Sequence, residues 1–314
     1  MQPLIMYSTT QMKNLRIALD WTANTNHTGF FVARELGFYA DQAIELTLIT
    51  PADDAYATTP AKKLELGQVD FALAPFESII SLHTKPKPVA VKAIAALLQE
   101  DLSAIVALAS SHITRPGELD GRTYASYKAR YEDSIIQQMI VNDGGKGDIQ
   151  LQYPDKLGIW NTLLTNAADS TWIFDNWEGV EAETAGIQLT KFRLADYQIP
   201  YAYSPALMAT QAAIEQNNAL YNAFLSATKQ GFLYAKANPE EAVDILRQVV
   251  PERDRQAIDL LKSQTYTAAY YGDESNWGKM DASRIQRFVD WLHEQGLENT
   301  PPDVQNLFTN ELIE

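Results

Sequence analysis

Residues 16–34 read Arg16-Ile17-Ala18-Leu19-Asp20-Trp21-Thr22-Ala23-Asn24-Thr25-Asn26-His27-Thr28-Gly29-Phe30-Phe31-Val32-Ala33-Arg34. The stretch begins as a short apolar run of strand length, crosses a polar loop, and then takes up an apolar period near 3.6 that ends at Gly37. Strand, loop and helix in that order place the loop at the carboxyl end of a strand, where open α/β sheets bind ligands. A Trp, a His and two Asn in that loop mark it as half of a binding site.

Outward from this unit the α/β alternation continues. Ile44 to Ile49 reads as a second strand, and the helix after it has Pro60 near its first turn and Gly67 just past its end. Val69 to Ala74 reads as a third strand, followed by Pro75-Phe76-Glu77-Ser78 and a short helix. This is βαβαβ, half of a doubly wound sheet. Val89 to Leu98 is long for one strand, and Gln99-Glu100-Asp101-Leu102-Ser103 separates it from a fresh strand, Ala104 to Ala109, as a crossing between lobes would.

The pattern then restarts, with strand and loop at Gly121–Ser126, a helix over Glu132–Asp143 and a strand at Asp148–Tyr153. A helix is expected over Gly158–Asn166, and strands at Thr171–Phe174 and Ile187–Leu194. Ser204 to Thr210 reads as a strand returning to the first lobe, and everything past about residue 212 reads as helical. The expected division is a discontinuous first lobe of residues 13–102 plus 205–314 and a second lobe of residues 103–204.

Composition narrows the function classes. A chain of 314 residues suits about two domains of the usual ~100–200 residues. A formal net charge of −15 repels nucleic acid and anionic membranes, leaving small neutral or cationic ligands. With no cysteine, disulfides, thiolate metal sites, a cysteine nucleophile and a lipoprotein anchor are excluded in the chain as given. Met1 to Lys13 lacks the features of a signal peptide, so the expectation is a cytoplasmic protein, or an extracytoplasmic one whose leader was removed. No apolar run of about 18 residues is present to span a membrane.

Catalytic signatures are missing: there is no Gly-x-Ser-x-Gly, His-Glu-x-x-His or phosphate loop, and the four histidines show no metal-ligand spacing. Asp143-Gly144-Gly145-Lys146-Gly147 follows a helix and precedes a strand, so it reads as a C-cap turn. What recurs is an aromatic beside a carboxylate in expected βα loops: Asp20-Trp21, Phe76-Glu77, Tyr131-Glu132 and Trp177-Glu178. Aromatic faces and carboxylate acceptors are what a flat heterocycle with ring-edge N–H groups needs.

The candidate ligand-binding residues are therefore Trp21, Asn24, His27, Phe76, Glu77, Tyr127, Tyr131, Trp177, Glu178 and Tyr203. Trp21 and Trp177 are stacking candidates, Glu77 and Glu178 acceptors, and Tyr201 and Tyr203 wall residues beside the return strand. His27 is open to two roles, ligand contact or ordering of its own loop, while Asn24 and Asn26 are also open to turn and cap roles. Trp172 reads as core. Arg130 is a candidate for meeting an anionic group. No catalytic or metal-binding residue is assigned.

Leu19-Asp20-Trp21-Thr22-Ala23-Asn24-Thr25-Asn26-His27-Thr28-Gly29 resembles the opening motif of a solute-binding-protein family that includes thiamine-pyrimidine-precursor and riboflavin binders of ABC transporters. The fungal synthases of the thiamine pyrimidine resemble it too. Weaker matches follow at Gly67 to Ala72, at Asn176-Trp177-Glu178-Gly179 and at Tyr203-Ser204-Pro205-Ala206-Leu207, so the resemblance spans most of the chain. It implies an α/β, two-lobed periplasmic-binding-protein fold of type II with a C-terminal helical cap. It also implies a small heteroaromatic ligand between the lobes and, as partner, a transporter permease.

The synthase alternative would bring pyridoxal phosphate as cofactor. The synthases place a lysine and, four residues later, a sacrificial histidine after the third strand, where this chain has Ala74 and Ser78. Their cysteine-rich motif before the return strand is replaced by Tyr201-Ala202-Tyr203-Ser204-Pro205, although His27 aligns with a histidine of their opening motif. The preferred expectation is a binder with no cofactor.

Overall fold

The computed structural model describes residues 11–154 and 159–313, and among these described residues ten strands divide between two five-stranded sheets. Most of the N-terminal segment and Gly158 therefore lie outside the described residues. In the first sheet β1 (Lys13–Ala18) pairs in parallel with β2 (Ile44–Ile49) and β3 (Phe71–Ala74). β4 (Val91–Ala96) stands at the far edge, and the sequential βαβ units give the parallel half of the order β2-β1-β3-β10-β4. The second sheet, β7-β6-β8-β5-β9, contains β5 (Ser103–Leu108), β6 (Thr123–Ala125), β7 (Gln150–Gln152), β8 (Ser170–Phe174) and β9 (Leu189–Phe192). β10 (Ala206–Thr210) inserts antiparallel between β3 and β4, returning the chain to the first sheet.

The loop that opens the sequence is set by a close helix–helix contact. Helix Thr28–Glu35 packs against Asn218–Ala237, the longest of the C-terminal helices. A Cβ on Gly231 would lie 2.1 Å from the carbonyl oxygen of Gly29, and one on Gly29 would lie 2.0 Å from the Phe232 ring. Two glycines thus let the backbones meet, which fixes where the loop before Thr28 emerges. Phe30, Phe232, Tyr271 and Trp277 pack edge-on or tilted around that contact.

A second core continues from the other face of the first sheet, through Phe76, Tyr201 and Tyr203, to Tyr124, Ile135 and Trp172 of the second lobe. The two crossings between the sheets are therefore packed, not loose. Arg284, on helix Ala282–Glu294, donates to the carbonyl of Gln99 on one crossing (2.6 Å) and of Ala202 on the other (2.7 Å).

The C-terminal helices end sooner than the apolar spacing suggests. After Glu294 the chain turns at Gly296 (φ +67°), and Pro301-Pro302 removes two backbone donors. The tail then runs along the edge of β4, where Ala93 exchanges backbone hydrogen bonds with Leu307 (2.8 Å) and Thr309 (2.9 Å).

Candidate functional site

The carboxyl ends of β1 and β3 face those of β6 and β8 across a cavity of about 250 Å³. The loop after β1 contributes Asp20, Trp21, Asn24 and Asn26, and the segment after β3 contributes Pro75 and Glu77. From the other lobe come Tyr127, Ala129 and Glu132, then Trp172, Phe174, Trp177 and Glu178; Tyr201 and Ser204 close the floor. Parallel strands point their ends and following loops the same way, so both lobes present ligand-facing loops to one space.

The β1 loop is held rigid from within. The ring Nδ1 of His27 accepts the Asn24 backbone N–H at 3.3 Å, which places the proton on Nε2, and Nε2 donates to Asp20 Oδ1 at 2.7 Å. Asn24 Oδ1 accepts the Asn26 N–H at 2.8 Å. From the second lobe Asn176 Nδ2 donates to Asn26 Oδ1 at 2.8 Å and to Thr267 Oγ1 at 3.0 Å, tying both lobes to helix Leu260–Ala268. Trp21, half-buried, meets Tyr56 and Tyr127 edge-on at centroid distances of 6.0 and 6.4 Å.

Three buried glutamates converge on the cavity. Glu77 sits in the first turn of helix Phe76–Thr84, Glu132 opens helix Glu132–Asn142, and Glu178 belongs to a π-helical turn, Asp175–Gly179. Glu132 accepts from Tyr124 Oη (2.8 Å) and from the N–H groups of Tyr127 (3.1 Å) and Ala129 (3.2 Å). Glu178 accepts the Phe174 N–H at 3.0 Å, and Glu77 has only a long bond from Tyr201 Oη at 3.4 Å. Burial pushes the carboxyls of Glu77 and Glu178 up to about 7, with the nearby Glu132 adding to the rise at Glu77. Burial raises Glu132 as well.

Of the expected site residues, the structure places Trp21, Asn24, Glu77, Tyr127, Trp177 and Glu178 on the cavity wall. Four others lie elsewhere. His27 is fully buried and orders its own loop, because both ring nitrogens are engaged there. Phe76 turns into the core beside Ile79 and Ile80, the outcome of heading a helix whose apolar side faces the sheet. Tyr131 is buried with its hydroxyl on Glu298, and Tyr203 receives the Asp281 N–H on its hydroxyl (2.8 Å) beneath the Arg284 guanidinium, 4.3 Å from the ring centroid. Arg130 is ion-paired with Glu298 at 2.5 Å and donates to Thr84.

Trp172 is buried in the core, as read from the sequence, and also lines the cavity, as do Phe174 and Asn26. Alternation along β8 carries that information: Trp172 and Phe174 share one face, while Ile173 packs with Ala104 and Val106 on the other. Among the described lining residues four are carboxylates and none is Lys, Arg or His. The described residues hold no group of three or more His, Asp or Glu placed to bind a metal ion, and no helix long and apolar enough to cross a membrane.

Residues 24–242 match the family model described as NMT1/THI5 like. The chain is 22% identical over 306 residues to a formylaminopyrimidine-binding protein of Halalkalibacterium halodurans, covering 95% of this chain and 90% of the relative. It is 27% identical over 241 residues to a 4-amino-5-hydroxymethyl-2-methylpyrimidine phosphate synthase of Legionella pneumophila, covering 75% of this chain and 73% of that one. Among solved structures, the periplasmic nitrate-binding protein NrtA from Synechocystis PCC 6803 superposes with a TM-score of 0.72 at 16% identity, covering 96% of this chain and 87% of the other. The chain belongs to the NMT1/THI5-like family, and its fold is the two-lobed type II fold of periplasmic binding proteins.

Proposed function

We propose that this chain binds a small, flat, nitrogen-rich heterocycle of the thiamine-pyrimidine-precursor kind between its lobes, and passes it on unchanged to an import system. The observation that carries this reading is the lining of the cavity: aromatic rings of Trp21, Tyr127, Trp172 and Trp177 surround three buried glutamates, with no cationic side chain among the described lining residues. Rings supply stacking faces, and carboxylates accept from exocyclic amino groups and ring N–H groups. An anion such as nitrate, or the phosphate of pyridoxal phosphate, finds no cationic partner among those residues. The 22% identical relative named for binding formylaminopyrimidine supports the same ligand class.

The synthase reading has a relative behind it, but Ala74 and Ser78 offer neither an amine for a Schiff base nor an imidazole donor. Residues 103–204 and the remainder act in this reading as two lobes that close on the ligand, since a ligand touching both walls favours the closed state.

The test is titration of the purified protein with 4-amino-5-hydroxymethyl-2-methylpyrimidine, followed by tryptophan fluorescence and calorimetry. Saturable binding is expected, and Trp21→Ala is expected to weaken it by the ~1–3 kcal/mol of a lost aromatic stack. Binding that is unchanged in both Trp21→Ala and Trp177→Ala would place the ligand elsewhere.

A further inference from the structure

We propose that ligand capture in this cavity is coupled to proton release: Glu77 and Glu178 carry protons while the cavity is empty, and give up one or both to solvent when a cationic heterocycle enters. The inference rests on the binding reading above and adds the charge of the ligand and pH as the regulator.

The geometry carries it. The three carboxyls come from three separate elements of two lobes, and each is at most 9% exposed, around a cavity of about 250 Å³. An isolated buried carboxylate is costly, and three around one small space repel one another, so the empty cavity favours the neutral acid at Glu77 and Glu178, which have fewer donors than Glu132. Entry of a cation reverses the preference: a carboxyl O–H ionises, the proton leaves to solvent, and a carboxylate faces the ligand.

The surrounding charges leave this balance to the ligand. Facing Glu77 are Glu132, the Tyr201 hydroxyl and, further off, Arg130, whose guanidinium is taken by Glu298. Around Glu132 stand Asp133 and the hydroxyl of Tyr124. Glu178 faces Glu181 and Asp254, both held by Arg253, and the hydroxyl of Tyr127. On the β1 loop Asp20 is bonded to His27, and Lys191 and Arg193 are both paired with Asp175. The upward displacement of Glu77 and Glu178 to about 7 agrees with protons being held near neutral pH.

The sign follows from linkage. A group that must ionise for the ligand to bind costs affinity below its free-state value, so binding strengthens as pH rises to about 7 and levels off above it. The probe is 4-amino-1,2-dimethylpyrimidinium, whose charge does not titrate. For one obligatory group the affinity at pH 6.0 should be about eightfold weaker than at pH 7.5, and for two about 70-fold weaker. Calorimetry in phosphate and in Tris at pH 6.5 should give different apparent heats, because released protons are taken up by the buffer. Glu178→Gln should flatten the pH dependence without abolishing it.

Equal affinity at pH 6.0 and 7.5 with buffer-independent heats would overturn the proposal while leaving the binding reading intact. The same holds if the uncharged aminopyrimidine binds and the pyrimidinium does not. If neither probe binds at any pH, the binding reading fails and the proton coupling fails with it.

Discussion

Gly231→Ala is expected to destabilise the protein by about 3 kcal/mol or more, although alanine is intrinsically the better helix former by roughly 1 kcal/mol. The added Cβ would sit 2.1 Å from the Gly29 carbonyl oxygen and 2.7 Å from the Cβ of Ala33, both on the facing helix, so neither can swing aside as a flexible side chain would. Relief requires the helices to separate, and with them the loop from Asp20 to His27. Thermal unfolding of the variant should show a lower midpoint, with ligand affinity falling as well. A midpoint equal to or above that of the parent would mean that the two helices do not meet at Gly29 and Gly231.

Glu178→Gln is expected to do the opposite at high pH. The Glu178 carboxyl is raised from 4.5 to about 7 in the folded chain, so between those values the folded state binds more protons than the unfolded one. Stability therefore falls as pH rises through that window, and the loss is complete above about 7. At 1.36 kcal/mol per pH unit this is on the order of 3 kcal/mol, which the amide, carrying no charge, does not incur. The amide oxygen can still accept the Phe174 N–H. Denaturant unfolding at pH 8 should find Glu178→Gln more stable by roughly 2–3 kcal/mol, with the difference reduced to about 1 kcal/mol or less at pH 5. A variant less stable than the parent at pH 8 would show that Glu178 is ionised and well paired in the folded state.

Local pattern made much of the fold legible. The strands ending at Ala18 and Ile49 alternate exposed and buried positions and the one ending at Ala74 is buried throughout, patterns that short apolar or alternating runs of strand length announce. The polar break at Gln99–Ser103 and the return at Ser204 were visible as changes of pattern. The C-terminal tail was not, because its single pairing beside Ala93 is set by an available sheet edge and leaves no period of its own.

At the site, the carboxylate of each aromatic–carboxylate pair reaches the cavity wall, but of the aromatics only Trp21 and Trp177 do, since Phe76 and Tyr131 pack into the core. Tyr131 and Tyr203 lie off the cavity because their hydroxyls meet Glu298 and Asp281, both distant in sequence, while His27 takes the second of its two expected roles and orders its own loop through Asp20. Trp172 is core, as its setting suggested, and reaches the cavity as well, because a strand that buries both faces looks the same whether one face meets core or ligand.

The most direct test of a phosphate-free, nitrogen-rich ligand is a calorimetric comparison at pH 7.5 of 4-amino-5-hydroxymethyl-2-methylpyrimidine with its phosphate ester. A phosphate loses its water in this cavity and meets no cationic lining residue, a cost of several kcal/mol, so the unphosphorylated compound should bind at least about 100-fold more tightly. Equal or tighter binding of the phosphate ester would contradict the account.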